Sequence, residues 1–268
     1  LWGTWIKVNL ADKLPVKVAG LVMDNDFGLA YEMGFEAYAE ENPDVVAEYL
    51  PVRHDPAAPT LTNEVTTIAA FAPDVFISMT AGNPCLLAIQ EVEASGLLEE
   101  LSAAFTPSVC KGIAAYLAPA GMAADDWWVV GGGRIDTTDP GKIDLPFIKF
   151  ARDLISDAGE DPGISLTGEG VCRGLDFTEA FRIADALPGG MSRTNLMLAL
   201  RNFKIYHPGL LDGLVTELKG NSDAYFVEGS EYSQFDAENQ TWVMVGDVVD
   251  ANGGTPNCRW DKANGGCR

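Results

Sequence analysis

The feature that most constrains this chain is the alternation, through its first half, of short apolar runs with longer segments whose apolar residues recur at helical spacing. Val16 to Met23 is apolar except for Lys17 and reads as a buried strand. After Asn25-Asp26-Phe27-Gly28, the residues Tyr31, Phe35 and Tyr38 mark one face of a helix. Residues 48–52 follow as a second strand, and Leu61, Val65, Ile68 and Ala72 as a second helix face. Residues 74–79 form a third strand, residues 86–95 a third helix ended by Gly96, and residues 103–106 a short fourth strand. Strands alternating with helices in this way imply right-handed crossovers and a mostly parallel sheet covered on both faces. Ligands of such sheets bind beyond the strand carboxyl ends, here the loops 24–28, 80–83 and 106–109.

From Trp127 the pattern changes. Residues 127–130 read as a strand whose adjacent Trp127 and Trp128 point to opposite faces. Gly131-Gly132-Gly133 follows, and with no lysine or hydroxyl residue after it to cradle a phosphate it reads as a hinge. Phe147, Phe150, Leu154 and Ala158 form one helical stripe, and Phe177, Phe181 and Ala184 another, closed by Pro188-Gly189-Gly190. Ser192 caps a further helix carrying Leu196, Leu200 and Phe203. These helices arrive with almost no strand between them, so their apolar faces lack a sheet of their own. Residues 213–218, 224–227 and 242–245 read as antiparallel hairpins, with turns at Gly220-Asn221 and at residues 236–239.

Composition removes several functions. Lys and Arg total 18 against 39 Asp and Glu, and a net charge of -21 repels nucleic acid and anionic membranes. No apolar run approaches the length of a membrane span. The five cysteines contain no C-x-x-C pair and only His54 and His207 accompany them, so neither a metal site nor a cofactor is expected. Neither histidine lies in a recognisable nucleophile turn, and G-x-S-x-G is absent. Asp24, Asp26 and Asp55 supply carboxylates for acid-base or metal chemistry, or else cap helices and face solvent. Cys258 and Cys267 flank a polar Gly-rich loop suited to a disulfide in an oxidising compartment. Cys172 is the candidate for the odd, buried thiol.

The order of these motifs resembles the second lobe of type I periplasmic binding proteins, in the group that binds branched-chain amino acids for ABC importers. The residues carrying the resemblance are the apolar strand, Asn25-Asp26-Phe27-Gly28, Gly34-Phe35, Ala72-Pro73-Asp74-Val75, the helix from Ala88 to Gly96, and residues 118–131. It continues through residues 170–184 and Thr241-Trp242, and the tail Pro256-Asn257-Cys258 resembles actinobacterial members. The resemblance implies an α/β fold of two Rossmann-like lobes joined by a hinge, with the first lobe incomplete in this chain. Residues 1–130 then form the second lobe, residues 131–210 helices of the first lobe, and residues 211–268 hairpins and a tail returning to the second. On the same basis the stripes with Phe147, Phe150, Phe177 and Phe181 cover a sheet outside these residues and are expected to be exposed.

As function, the resemblance implies an extracytoplasmic substrate-binding component, periplasmic or on the cell surface as a lipoprotein, that is monomeric when complete. Its partners are a small molecule in an interlobe cleft and an ABC permease, and it performs no catalysis. A ligand-sensing receptor domain of the same fold and a doubly wound enzyme are the alternatives. The expected ligand contacts are Asp26, Phe27, Ala81, Gly82, Asn83, Pro107, Ser108 and Arg173. Phe27 takes the place of an aromatic residue that family members set against the ligand, or is a core residue. Asn83 and Ser108 offer uncharged hydrogen bonds, or form turns. Arg173 holds a ligand carboxylate, or pairs with Glu169 or Asp176. The loop Thr106-Pro107-Ser108-Val109 carries no carboxylate, where amino-acid-binding relatives offer one to the ammonium group, so a neutral or anionic ligand with apolar surface is expected. Cys85 and Cys110 follow strands adjacent in the expected order, near the rim, and are expected to be bridged.

Overall fold

The structure, a computed structural model, describes residues 1–220, 223 and 225–250, together with the backbone of residues 260–261 and 266–267. The expected Cys258–Cys267 bridge and the tail Pro256-Asn257-Cys258 lie outside the described residues. The chain divides into two compact units. The first holds Leu1–Gly131, Asp139–Gly141 and Tyr232–Val245, and the second holds Gly132–Thr138, Lys142–Glu231 and the residues from Gly246.

The first unit is a seven-stranded sheet. Its parallel part comprises β1 (Val16–Met23), β2 (Val46–His54), β3 (Val75–Met79), β4 (Ala103–Pro107) and β5 (Trp128–Val130), in the order β5-β4-β3-β1-β2. An antiparallel hairpin of β6 (Tyr232–Asp236) and β7 (Thr241–Met244) extends the sheet beyond β5. Alternation divides the side chains between two faces. Val16, Val18, Val22, Val75, Ile77, Met79 and Phe105 pack under α1 (Trp2–Asn9) and α2 (Asp26–Glu41). Ala19, Leu21, Phe76, Ala104 and Val129 pack on the opposite face with α3 (Thr62–Phe71) and α4 (Asn83–Ala94). Because both faces are covered, the strands are apolar throughout, and each fully buried Leu, Val, Ile or Phe contributes roughly 1.5–3 kcal/mol. Trp127 and Trp128 do separate, Trp127 into the α3/α4 face and Trp128 into the α1/α2 face.

Lys17, the one charge in β1, is accommodated at the strand's beginning. Its amide donates to the Asp74 carboxylate at 2.7 Å, and its ammonium reaches the Phe71 carbonyl and lies over the Phe71 ring, 4.0 Å from the centroid. The segment Asp139–Gly141 is tied into this unit by Asp139, whose Oδ1 accepts from the Thr241 hydroxyl at 2.6 Å and from the Gly141 amide at 2.9 Å.

Among its described residues the second unit contains three helices, Pro146–Asp157, Ser165–Ala186 and Arg193–Arg201, and small antiparallel pairs. Ser192 caps the last helix as expected, accepting from the Asn195 amide at 3.1 Å. Residues 213–218 do not form the expected long hairpin arm. Only Thr216–Glu217 is a strand, and it pairs with Lys204–Ile205. Residues 225–227 are not strand, although the Glu217 amide still donates to the Phe226 carbonyl at 3.0 Å. The expected exposure holds for Phe150, Phe177 and Phe181, at 55%, 51% and 44%. Phe147 departs from it, being half-buried edge-on to His207 at 5.5 Å.

Gly28 sits where α2 turns off β1, and a Cβ there would collide with the Met23 carbonyl, whereas Gly34 on the same helix has open space around it. Gly28→Ala is therefore expected to destabilise the protein by about 1–3 kcal/mol and Gly34→Ala to stabilise it by about 0.5–1 kcal/mol. Thermal denaturation of the two variants, in opposite directions from the parent, checks the pair.

Candidate functional site

The carboxyl ends of β1, β2, β3 and β4 lie side by side, because β1 pairs with both β2 and β3, and β3 with β4. A strand buried on both faces can present polar groups only where it ends, so chemistry is confined to this rim. At the end of β1, Asn25 has extended backbone and its side chain accepts from the Gly28 amide at 3.1 Å, which starts α2. Asp26 follows, exposed in the first turn, where a carboxylate is favoured by the helix dipole. Phe27 is half-buried and stands edge-on to Tyr31 at 5.0 Å, and Tyr31 in turn packs against Trp2 at 5.2 Å.

Tyr31 reaches across the rim toward Ser108, which follows β4, close enough for that hydroxyl to influence its phenol. Burial raises the Tyr31 phenol above its ordinary range, and Ser108 partly offsets that rise. Beside them, β3 ends in Thr80, Ala81 and Gly82 before α4 begins at Asn83. Thr80 is fully buried and its hydroxyl is hydrogen-bonded to His54 Nε2 at 2.9 Å. His54 Nδ1 donates to the Asp55 carbonyl at 2.9 Å, which places a proton on that nitrogen. Gly82 and Asn83 are exposed, Ala81 is half-buried, and α4 begins without a side-chain cap. Pro84 in its first turn has no amide hydrogen, and the Cys85 amide donates to the Gly82 carbonyl at 3.0 Å.

The Cys85–Cys110 disulfide joins the first turn of α4 to the turn after β4, with Cα atoms 5.5 Å apart. The next residue, Lys111, is buried, and its carbonyl accepts from Trp242 Nε1 at 2.9 Å. Two rim loops are thus pinned to each other and to the hairpin.

The structure brings Asp26, Phe27, Ala81, Gly82, Asn83, Pro107 and Ser108 to one rim. Pro107 is buried as the last residue of β4 and supplies shape rather than a polar group. Arg173 belongs to the second unit, where its Nε donates to Glu169 Oε1 at 2.9 Å, an oxygen also engaged by Arg134 Nη1 at 3.2 Å. Its ion-pair reading is the one realised. Asp24 and Asp55 are exposed, and Asp55 Oδ1 accepts from the Ala57 amide at 2.7 Å. Sequence reasoning set Thr80 in the rim loop 80–83 without naming it as a site residue, and missed Tyr31 and His54. Tyr31 was legible only as a helix-face residue, although four residues after Phe27 it shares that side of α2. His54 was missed because β2 runs two residues beyond the apolar segment 48–52.

No protein-family model and no curated protein matches the chain. Among solved structures its fold is that of type I periplasmic binding proteins, at sequence identities below a fifth. A branched-chain amino acid ABC transporter protein from Thermus thermophilus with bound valine is 16% identical, with a TM-score of 0.74, over 92% of this chain and 64% of that one. A fatty acid ABC transporter substrate-binding protein from Thermomonospora curvata is 15% identical, with a TM-score of 0.71, over 93% and 61%. A solute-binding protein from R. palustris in complex with 4-hydroxybenzoate is 14% identical, with a TM-score of 0.69, over 92% and 64%. The chain spans less than two thirds of the length of each of these proteins.

Closing the 25-residue Cys85–Cys110 loop removes unfolded-chain entropy worth about 3 kcal/mol. Reduction, or the Cys85→Ala/Cys110→Ala double variant, should lower the melting temperature accordingly. Cys172 is buried, and burial pushes its thiol up to about 11, so it should resist alkylation in the folded protein at pH 8 and react once unfolded. Peptide mapping after alkylation, with and without denaturant, reads both expectations.

Proposed function

We propose that this chain is the ligand-holding part of an extracytoplasmic solute-binding protein that delivers a small molecule to an ABC permease without transforming it. The observation that carries the reading is the rim itself. Hydrogen-bonding groups and one aromatic pair converge there on a scaffold pinned by a disulfide. The fold shared with proteins that bind valine, 4-hydroxybenzoate and fatty acids supports it. An oxidised Cys85–Cys110 pair favours a compartment outside the cytoplasm.

The proposed contacts are Asp26, Phe27, Ala81, Gly82, Asn83, Pro107 and Ser108, joined by Tyr31. The donors among them, the Asn83 amide and the Tyr31 and Ser108 hydroxyls, suit a carboxylate or carbonyl end. Phe27 and Tyr31 suit an apolar body. The loop after β4 has no carboxylate to hold an ammonium group, and a charge-assisted bond of that kind contributes roughly 1.5–3 kcal/mol, so ordinary α-amino acids are disfavoured.

Calorimetric titration with leucine, isoleucine, valine, a set of aromatic and alicyclic carboxylates, and their amides tests the proposal. The expected result is binding of acids or neutral analogues, with the ligand recovered chemically unchanged. Ser108→Ala should weaken it about three- to tenfold through loss of one hydrogen bond. Micromolar leucine binding with none to the acids contradicts the ligand class, and turnover of the bound molecule contradicts the binding role.

A further inference from the structure

The helix Ser165–Ala186 places Glu169, Cys172, Arg173 and Asp176 along one side, at positions i, i+3, i+4 and i+7. Its buried stripe consists of Ser165, Gly168, Cys172, Ala180, Ala184 and, in their midst, Asp176. The Asp176 side chain is 6% exposed and neither carboxylate oxygen has a hydrogen-bond partner. Its near neighbour is His207 Nε2 at 3.8 Å, beyond hydrogen-bonding reach.

His207 is itself 1% exposed and fully occupied. Nε2 donates to the Cys172 carbonyl at 2.8 Å, and Nδ1 accepts from the Gly209 amide at 2.9 Å. The ring is therefore neutral, because a proton on Nδ1 would face the Gly209 N–H and break that bond. The loop carrying it packs closely. A Cβ on Gly209 would lie 3.0–3.1 Å from the His207 ring, the Cys172 sulfur and the Phe147 ring, so little space remains for water.

A carboxylate that is buried without donors is costly when charged and inexpensive when neutral. We propose that Asp176 and His207 form a proton-operated latch in the second unit: neutral Asp176 packs shut against the His207 loop, and ionised Asp176 releases it. On ionisation the carboxylate gains solvation only if the loop moves aside, or if His207 takes the proton and gives up its bond to Gly209. Either route frees residues 206–210. The charged groups facing Asp176 are His207 from the loop, Arg134 from the crossing segment, and Arg173 and Glu169 on its own helix. On the two neighbouring helices Lys149, Asp153, Asp157, Arg193 and Arg201 are exposed, and Arg152 is held by the Thr137 and Pro162 carbonyls. Burial raises the Asp176 carboxyl above its ordinary range, with His207, Arg134 and Arg173 opposing the rise and Glu169 adding to it. The folded form thus keeps its proton to higher pH than the unfolded one. Its stabilising contribution is complete below the ordinary carboxylate range and is lost as pH rises through the raised value.

The test is amide hydrogen exchange of the whole chain between pH 5 and 9, expressed as protection relative to intrinsic rates and read at Gly209 and Leu210. Protection should fall by up to about tenfold per pH unit between the ordinary carboxylate range and the raised Asp176 value, and level off above it. In Asp176→Asn it should stay level across the range. Carbon-13 carboxyl NMR of the parent protein keeps the idea testable if that variant does not fold, because the Asp176 resonance should titrate together with the two amides. Level protection in the parent, an identical fall in Asp176→Asn, or an Asp176 carboxyl that titrates in the ordinary carboxylate range would each overturn the latch.

Discussion

Burial of the parallel sheet on both faces is the constraint on which the rest of the first unit depends. Val18 and Leu21 look into opposite cores, as do Phe76 and Ile77, so none of these strands has a polar side to spare. Polar chemistry is then displaced to the strand ends. What happens there follows from helix initiation: Asn25 turns the chain from β1 into α2, and Gly82 turns it from β3 into α4. The same turns that satisfy the geometry of a βαβ unit set Asp26, Phe27 and Asn83 around one rim.

One further link stiffens this rim. The Cys85–Cys110 bond crosses between neighbouring βα turns, while Tyr31 of α2 extends toward Ser108 beyond β4. Beneath them Thr80 and His54 satisfy each other, so the buried floor leaves neither ring nitrogen nor hydroxyl to repel an apolar ligand. Pre-organisation of this kind lowers the ordering cost of binding, which otherwise consumes much of the gain from contact.

Most of the first unit was legible in the sequence, because the apolar runs and the helical spacing after them are strong local signals. The strand at Val16–Met23 required no tertiary information. The Cys85–Cys110 pairing followed from strand order, since both cysteines come just after strands that pair in the sheet. Less legible were the residues whose role depends on reach. Tyr31 has the same spacing as a core residue, and only the position of β4 beside it brings its hydroxyl toward Ser108. The second unit was harder still. Its strands are two residues long, below what periodicity can register, and Thr216–Glu217 pairs with Lys204–Ile205 across a loop that no local pattern announces. Phe147 carries the same stripe signal as Phe150, yet the His207 loop half-buries one ring and leaves the other exposed.

Hydrogen exchange on protein purified with whatever small molecule it retains, compared with the same protein after exhaustive dialysis, tests the binding rim most directly, with native mass spectrometry confirming the molecule's presence and loss. The account predicts slowed exchange at residues 26–31, 80–85 and 107–111 in the loaded protein, over an unchanged strand core. A retained ligand whose protection falls elsewhere in the first unit, leaving those three segments unaffected, would contradict it.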